Sequence, residues 1–172
     1  MILEYNKLVF MNVDFEKFTN PTKGVCDFEE VVNELTDFIN QDSDAKYSVI
    51  VGSDSEERNG TAEFVSVVAV HRIGSGGRYF WHKTKAEKVH SLRDRIYREA
   101  MYSLHLAHKV INSLKDRIAD HQYGFEIHVD IGQAGPTKDM IREITGMIRG
   151  YGFIAKIKPE AFGASNVADK YA

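Results

Sequence analysis

Apolar and polar positions along this chain follow two periods, and the switches between them mark its elements. Asp27, followed three residues later by Glu30, reads as a helix N-cap with its capping-box partner. Phe28, Val31, Val32, Leu35, Phe38 and Ile39 then fall on one face at helical spacing. The polar run Gln41 to Lys46 ends that helix. Tyr47 to Val51 reads as a strand that meets Gly52 and leads into Ser53, Asp54 and Ser55, which places Asp54 at a strand end. Turn chemistry at Glu57 to Gly60, an apolar strand at Phe64 to His71, and Gly74, Gly76 and Gly77 ahead of Tyr79 to Lys85 complete three consecutive antiparallel strands. Ser91 and Asp94 start a long helix whose apolar residues, from Leu92 to Ile118, recur at steps of three and four. Phe125, Ile127, Val129 and Ile131 alternate with Glu126, His128 and Asp130 up to Gly132, a strand that carries a carboxylate near its carboxyl end. Thr137 opens a third helix, closed by Gly150 and Gly152. Phe153 to Lys158 forms a last strand, and Ser165 caps a final helical turn containing Asp169. The order α-βββ-α-β-α-β-α predicts an α/β fold.

Composition narrows this to one core. A chain of 172 residues, 43% apolar with 3 prolines and no internal repeat, is globular and too short for two ordinary domains. Residues 1–46 are expected to pack as an N-terminal segment and helix on a domain spanning 47–172. Phe10, Val13, Phe15 and Phe18, spaced along the irregular first segment, cover that core or meet a partner chain, so a monomer or small homo-oligomer is expected. The start lacks the basic and long apolar regions of a signal peptide, and no run reaches membrane-spanning length. Cys26 is the single cysteine, so no intramolecular disulfide and no Cys-x-x-Cys zinc pair can form, which fits a reducing cytoplasm.

The net charge of -3 hides an uneven distribution. Residues 1–57 hold 4 Lys/Arg and 13 Asp/Glu, whereas residues 72–98 hold 8 Lys/Arg against Glu87 and Asp94. That basic stretch, with Arg72, Arg78, Lys83, Lys85 and Arg95, is either a solvated hairpin and helix start or a contact surface for a phosphate backbone. Tyr79, Phe80 and Trp81 interleave with it, as base-stacking residues or as ordinary sheet core.

Helical phase sorts the acids. Glu99 lies roughly 70° from the centre of the long helix's apolar stripe, whereas Asp94 and Asp116 lie roughly 150° and 170° away. Glu99 therefore leans towards the sheet and needs an arginine, a backbone donor or a cation. Asp54 and Asp130, each near a strand end and a glycine, point to the rim where open α/β sheets hold ligands; alternatively they cap their own turns, at Ser55 and Gly132. Three or four such carboxylates suit hard cations, and a pair of Mg²⁺ or Mn²⁺ ions so held can clamp both oxygens of a phosphodiester displacement. Gly132 to Lys138 lacks the Walker order, though Lys138 and the loop amides can meet a phosphate. The seven histidines show no zinc pattern; His128 shares the strand face of Asp130 and either orients it or is structural.

Five strings together carry a resemblance: Val-Gly-Ser-Asp-Ser at 51–55, Val-Ala-Val-His-Arg at 68–72 with Gly-Gly-Arg-Tyr-Phe at 76–80, Arg-Glu-Ala at 98–100, His-Val-Asp-Ile-Gly at 128–132, and Ala-Ser-Asn-Val-Ala-Asp at 164–169. From Tyr47 to Ala172 the chain resembles the YkuK-type family of bacterial RNase H-like proteins. The resemblance implies a mixed five-stranded sheet, three antiparallel strands then two parallel, flanked by helices. It implies metal-ligating and catalytic roles for Asp54, Glu99, Asp130 and Asp169, with Mg²⁺ or Mn²⁺ as cofactor and RNA, DNA or a hybrid as partner; Ser53, Ser55 and His128 are the candidate supports of these acids. Asp139, in the first turn of the third helix, is the substitute for Asp169. The expected function is a divalent-metal-dependent nuclease; the alternatives are a non-catalytic nucleic-acid-binding module of the same fold and a phosphotransferase.

Overall fold

The computed structural model describes residues 13–119 and 122–161. Its frame is a mixed sheet in the order β2-β1-β5-β4-β3-β7-β8, with the short β6 paired to β4. The strands are β1 Lys17–Asn20, β2 Gly24–Asp27, β3 Tyr47–Arg58, β4 Thr61–Arg72, β5 Gly77–Lys83, β6 Glu87–Lys88, β7 Tyr123–Val129 and β8 Ile154–Lys156. The helices are α1 Phe28–Asn40, α2 Leu92–Leu114 and α3 Ile141–Gly150, the last preceded by a 3₁₀ turn at Lys138–Met140. The five expected strands lie side by side in it: β5, β4 and β3 run antiparallel, and β7 and β8 add in parallel out to one edge.

Two differences from the sequence expectation have simple causes. The segment before α1 is a β-hairpin, and Thr19 of β1 pairs with Trp81 on the edge of β5. Strands of four residues are too short to show a period. The β3/β4 hairpin is also longer than expected, in unbroken register from Tyr47 opposite Arg72 to Arg58 opposite Thr61. It closes through Asn59 and Gly60, both at positive φ, as tight hairpins require. β3 therefore continues past Asp54 as a polar ribbon.

The helices form as their patterns dictate. Asp27 accepts from the Glu30 amide while Glu30 reaches back to the Asp27 amide, and the predicted apolar face of α1 is buried. Ser91 caps α2 by accepting from the Asp94 amide at 3.1 Å. At the third helix Thr137 serves a different partner, accepting from the Gly132 amide at 3.3 Å, and the 3₁₀ turn takes the place of a capped start. The main core lies between the sheet and the helices, with Val13, Phe15 and Phe18 buried in it, which settles their role as core residues. A small second cluster, Ile50, Val65 and Val67 with Tyr79 and Trp81 packed on it, occupies the other sheet face. Among the described residues no helix is long and apolar enough to cross a membrane.

Candidate active site

The chain leaves β3 towards β4 on one side and leaves β7 towards β8 on the other. Between β3 and β7 the connections diverge, and in open α/β sheets that switch point opens a crevice beyond the carboxyl ends of the strands. The parallel ladder ends at Ser53 opposite Val129, so Asp54 and Asp130 are the next residues on the two adjacent strands. The sequence places Asp54 at the end of a strand; it stands instead within a long one, at the end of its parallel pairing. Its Oδ1 accepts from the Ser55 amide at 2.8 Å.

Strand alternation sets the next contact. Asp54 pairs with Val65 of the second cluster, whereas Ser55 pairs with Phe64, whose ring meets Tyr102 of α2 edge-on. Ser55 thus faces the helix, and its hydroxyl donates to Glu99 Oε1 at 2.5 Å. Glu99, two turns into α2, is 2% exposed, as its helical phase predicts. The neighbouring arginines do not pair with it: Arg98 binds Asp94 and Glu87, and Arg95 donates to the Ser55 carbonyl at 3.3 Å. Among the described residues Glu99 Oε2 has no hydrogen-bond partner. Burial, chiefly, pushes the Glu99 carboxyl up to about 8; the negative charge of Asp54 adds to this, the Ser55 hydroxyl and Arg95 oppose it, and Asp130 raises it further. Both Asp54 and Asp130 are therefore near enough for their charge to act on Glu99.

Asp130 has a partner that the sequence reading does not contain. Lys158 Nζ lies 2.6 Å from Asp130 Oδ1. The parallel register of β8, with Lys156 opposite His128, carries Lys158 to the level of Asp130. Among the described residues no three His, Cys, Asp or Glu side chains are close enough together to hold a cation. Each of the three acids meets a donor of the protein itself: Asp130 an ammonium, Asp54 an amide and Glu99 a hydroxyl. The donor set nevertheless fits a hard cation, being all oxygen, with the buried Glu99 Oε2 left without a hydrogen-bond partner among the described residues. Asp169 lies outside the described residues. Asp139 is exposed in the 3₁₀ turn.

The remaining candidates scatter. His128 is 3% exposed and meets Glu126 Oε2 through Nε2 at 2.8 Å. Ser53 shares a buried hydrogen bond of 2.7 Å with Ser66. Arg72 stacks on Phe38 and Tyr47 and bonds Gln41, and Arg78 pairs with Glu34. Tyr47, opposite Arg72, is seven residues before Asp54, or about 23 Å along the strand. The basic stretch is thus not one surface. Lys83, level with Asp54 across β4, pairs with Glu63 at 2.8 Å, while Lys85 and Lys138 are exposed and Arg95 is held against the Ser55 carbonyl.

This fold agrees with the comparison of the chain to known families: residues 30–172 match the Ribonuclease H-like family, and the chain belongs to it. A relative from Bacillus subtilis (strain 168), described as uncharacterized protein YkuK, is 31% identical over 167 residues, covering 90% of this chain and 95% of that protein. No solved structure matches.

Proposed function

We propose that the chain is a divalent-cation-dependent nuclease that hydrolyses nucleic-acid phosphodiester bonds, with Asp54, Glu99 and Asp130 as cation ligands and Asp169 as the fourth. The observation that carries the proposal is Glu99. A carboxylate that is 2% exposed, has no hydrogen-bond partner on one oxygen among the described residues and feels the charge of two further acids is costly to fold unless a cation compensates it. Mg²⁺ or Mn²⁺, as a pair in the full reading, would supply charge stabilisation for the attacking water and the departing 3′ oxygen. The chain's own groups would do the rest. Ser55 fixes the Glu99 carboxylate from the strand side, Arg95 places positive charge at the crevice wall, and Lys138 and Lys85 offer exposed contacts to phosphates.

A second reading, a nucleic-acid-binding module without catalysis, draws on the absence of a ready three-carboxylate cluster among the described residues. Cleavage of labelled single-stranded RNA, single-stranded DNA, duplex, hybrid and four-way junction, with Mg²⁺ or Mn²⁺, separates the two. Activity lost in Asp54→Asn supports the nuclease and identifies its substrate. Binding without cleavage, equal in both proteins, supports the module.

A further inference from the structure

We propose that Lys158 is a built-in counter-ion of the carboxylate site, which a divalent cation must displace from Asp130, so that this lysine sets how much cation the site requires. The inference rests on the cation-binding reading above and adds to it a residue with a role opposed to that of the ligands.

Three contacts hold Lys158 in place. Its backbone N–H donates to the Ile131 carbonyl at 2.9 Å, extending the β7/β8 alignment past the end of both strands. Its stem runs against Gly132, where a Cβ would come within 3.1 Å of Lys158 Cβ; only glycine leaves this path open without displacement. Its ammonium then reaches Asp130 Oδ1 at 2.6 Å. The backbone is pinned, but the side chain is 58% exposed against 23% for Asp130. The carboxylate is fixed in the crevice, and the ammonium has an open route into solvent at its rim.

Charge gives this arrangement its purpose. Asp54 and Asp130 both act unfavourably on the buried Glu99, so in the cation-free protein a positive group beside Asp130 relieves part of the repulsion. A divalent cation does the same with twice the charge, and bound at Asp130 it would stand close enough to the ammonium to repel it strongly. Cation entry therefore expels the ammonium. The pinned backbone keeps it at the rim, within reach of a phosphate oxygen of a bound strand.

The test is Mn²⁺ titration calorimetry on the full chain at neutral pH, comparing wild type with Lys158→Met, which keeps the stem and loses the charge, and Lys158→Arg, which keeps the charge. Thermal unfolding with a chelator and with Mn²⁺ supplies a second readout. Lys158→Met should bind Mn²⁺ about fivefold more tightly, about 1 kcal/mol, the upper range for a half-exposed ion pair. Its melting temperature should rise more on adding Mn²⁺ than that of wild type, while Lys158→Arg stays near wild type. If the methionine variant does not fold, Lys158→Gln takes its place. Equal or weaker Mn²⁺ binding in the neutral variants overturns the role of Lys158 and leaves the cation site standing. No uptake by any of these proteins, or uptake undiminished in Asp54→Asn, overturns the cation site and the counter-ion together.

Discussion

Replacing Glu99 with glutamine removes a titration that the fold makes costly. In the cation-free protein the carboxyl is raised from 4.5 to about 8, first by burial and then by the charge of Asp54. Below pH 4.5 the group is protonated in both folded and unfolded chains and costs nothing. Between 4.5 and about 8 the unfolded chain releases the proton and the folded chain keeps it, so the unfolded state binds fewer protons and stability falls as pH rises. At about 1.4 kcal/mol for each tenfold change in proton affinity, the full loss is about 5 kcal/mol, of which about 3 is already spent at pH 7. Glu99→Gln should escape this loss. Urea unfolding in a chelating buffer, repeated across that pH window, should show the variant gaining on wild type as pH rises, levelling off above pH 8. Added Mn²⁺ should then restore wild type and leave the variant unchanged. Parallel pH profiles for the two proteins would refute the claim that Glu99 is a buried, strained carboxylate.

Four further outcomes follow. Ser55→Ala removes the donor to Glu99 Oε1 and should cost about 1–3 kcal/mol in urea unfolding, with the pH-dependent loss displaced upward because the hydroxyl now lowers that pKa. Gly77→Ala would place a Cβ 2.5 Å from the Val70 carbonyl oxygen across the β4/β5 hairpin, and a loss of about 1–3 kcal/mol should appear as a lower melting temperature. Arg72→Ala and Arg78→Ala should leave nucleic-acid affinity nearly unchanged, because α1 and Glu34 already engage those groups. Lys138→Ala should weaken binding and reduce the salt dependence by about one phosphate contact, measured by fluorescence anisotropy across salt concentrations.

Glu99 was legible in the sequence because one number, its angle from an apolar stripe, decides its burial on a long helix. Asp54 and Asp130 were legible as residues that follow apolar strand runs, but their adjacency is a matter of parallel register, and no local pattern encodes register between strands so distant in sequence. Lys158 was hidden for the same reason: its partner depends on the alignment of the three-residue β8 with β7. The basic stretch misled because sequence clustering is not surface clustering. The hairpin turn at Gly74 to Gly77 sends Arg72 and Arg78 to the end of the sheet opposite Asp54, where Glu34 and the rings of Phe38 and Tyr47 absorb them.

The two edges of β3 also differ in when they can be satisfied. Its antiparallel partner β4 follows after a two-residue turn, so that ribbon closes early, by local contacts alone. Its parallel partner β7 arrives only after β5 and the whole of α2 have been made, at a large loop-closure cost that the packed helix must first offset. Asp54 therefore enters the fold with the local ribbon, whereas Asp130 reaches its side only when β7 pairs with β3. The charge that Asp130 sets against Glu99 is thus imposed in the same step that adds Ile127 and Val129 to the core, so the cost of the acid and the burial that offsets it arrive together.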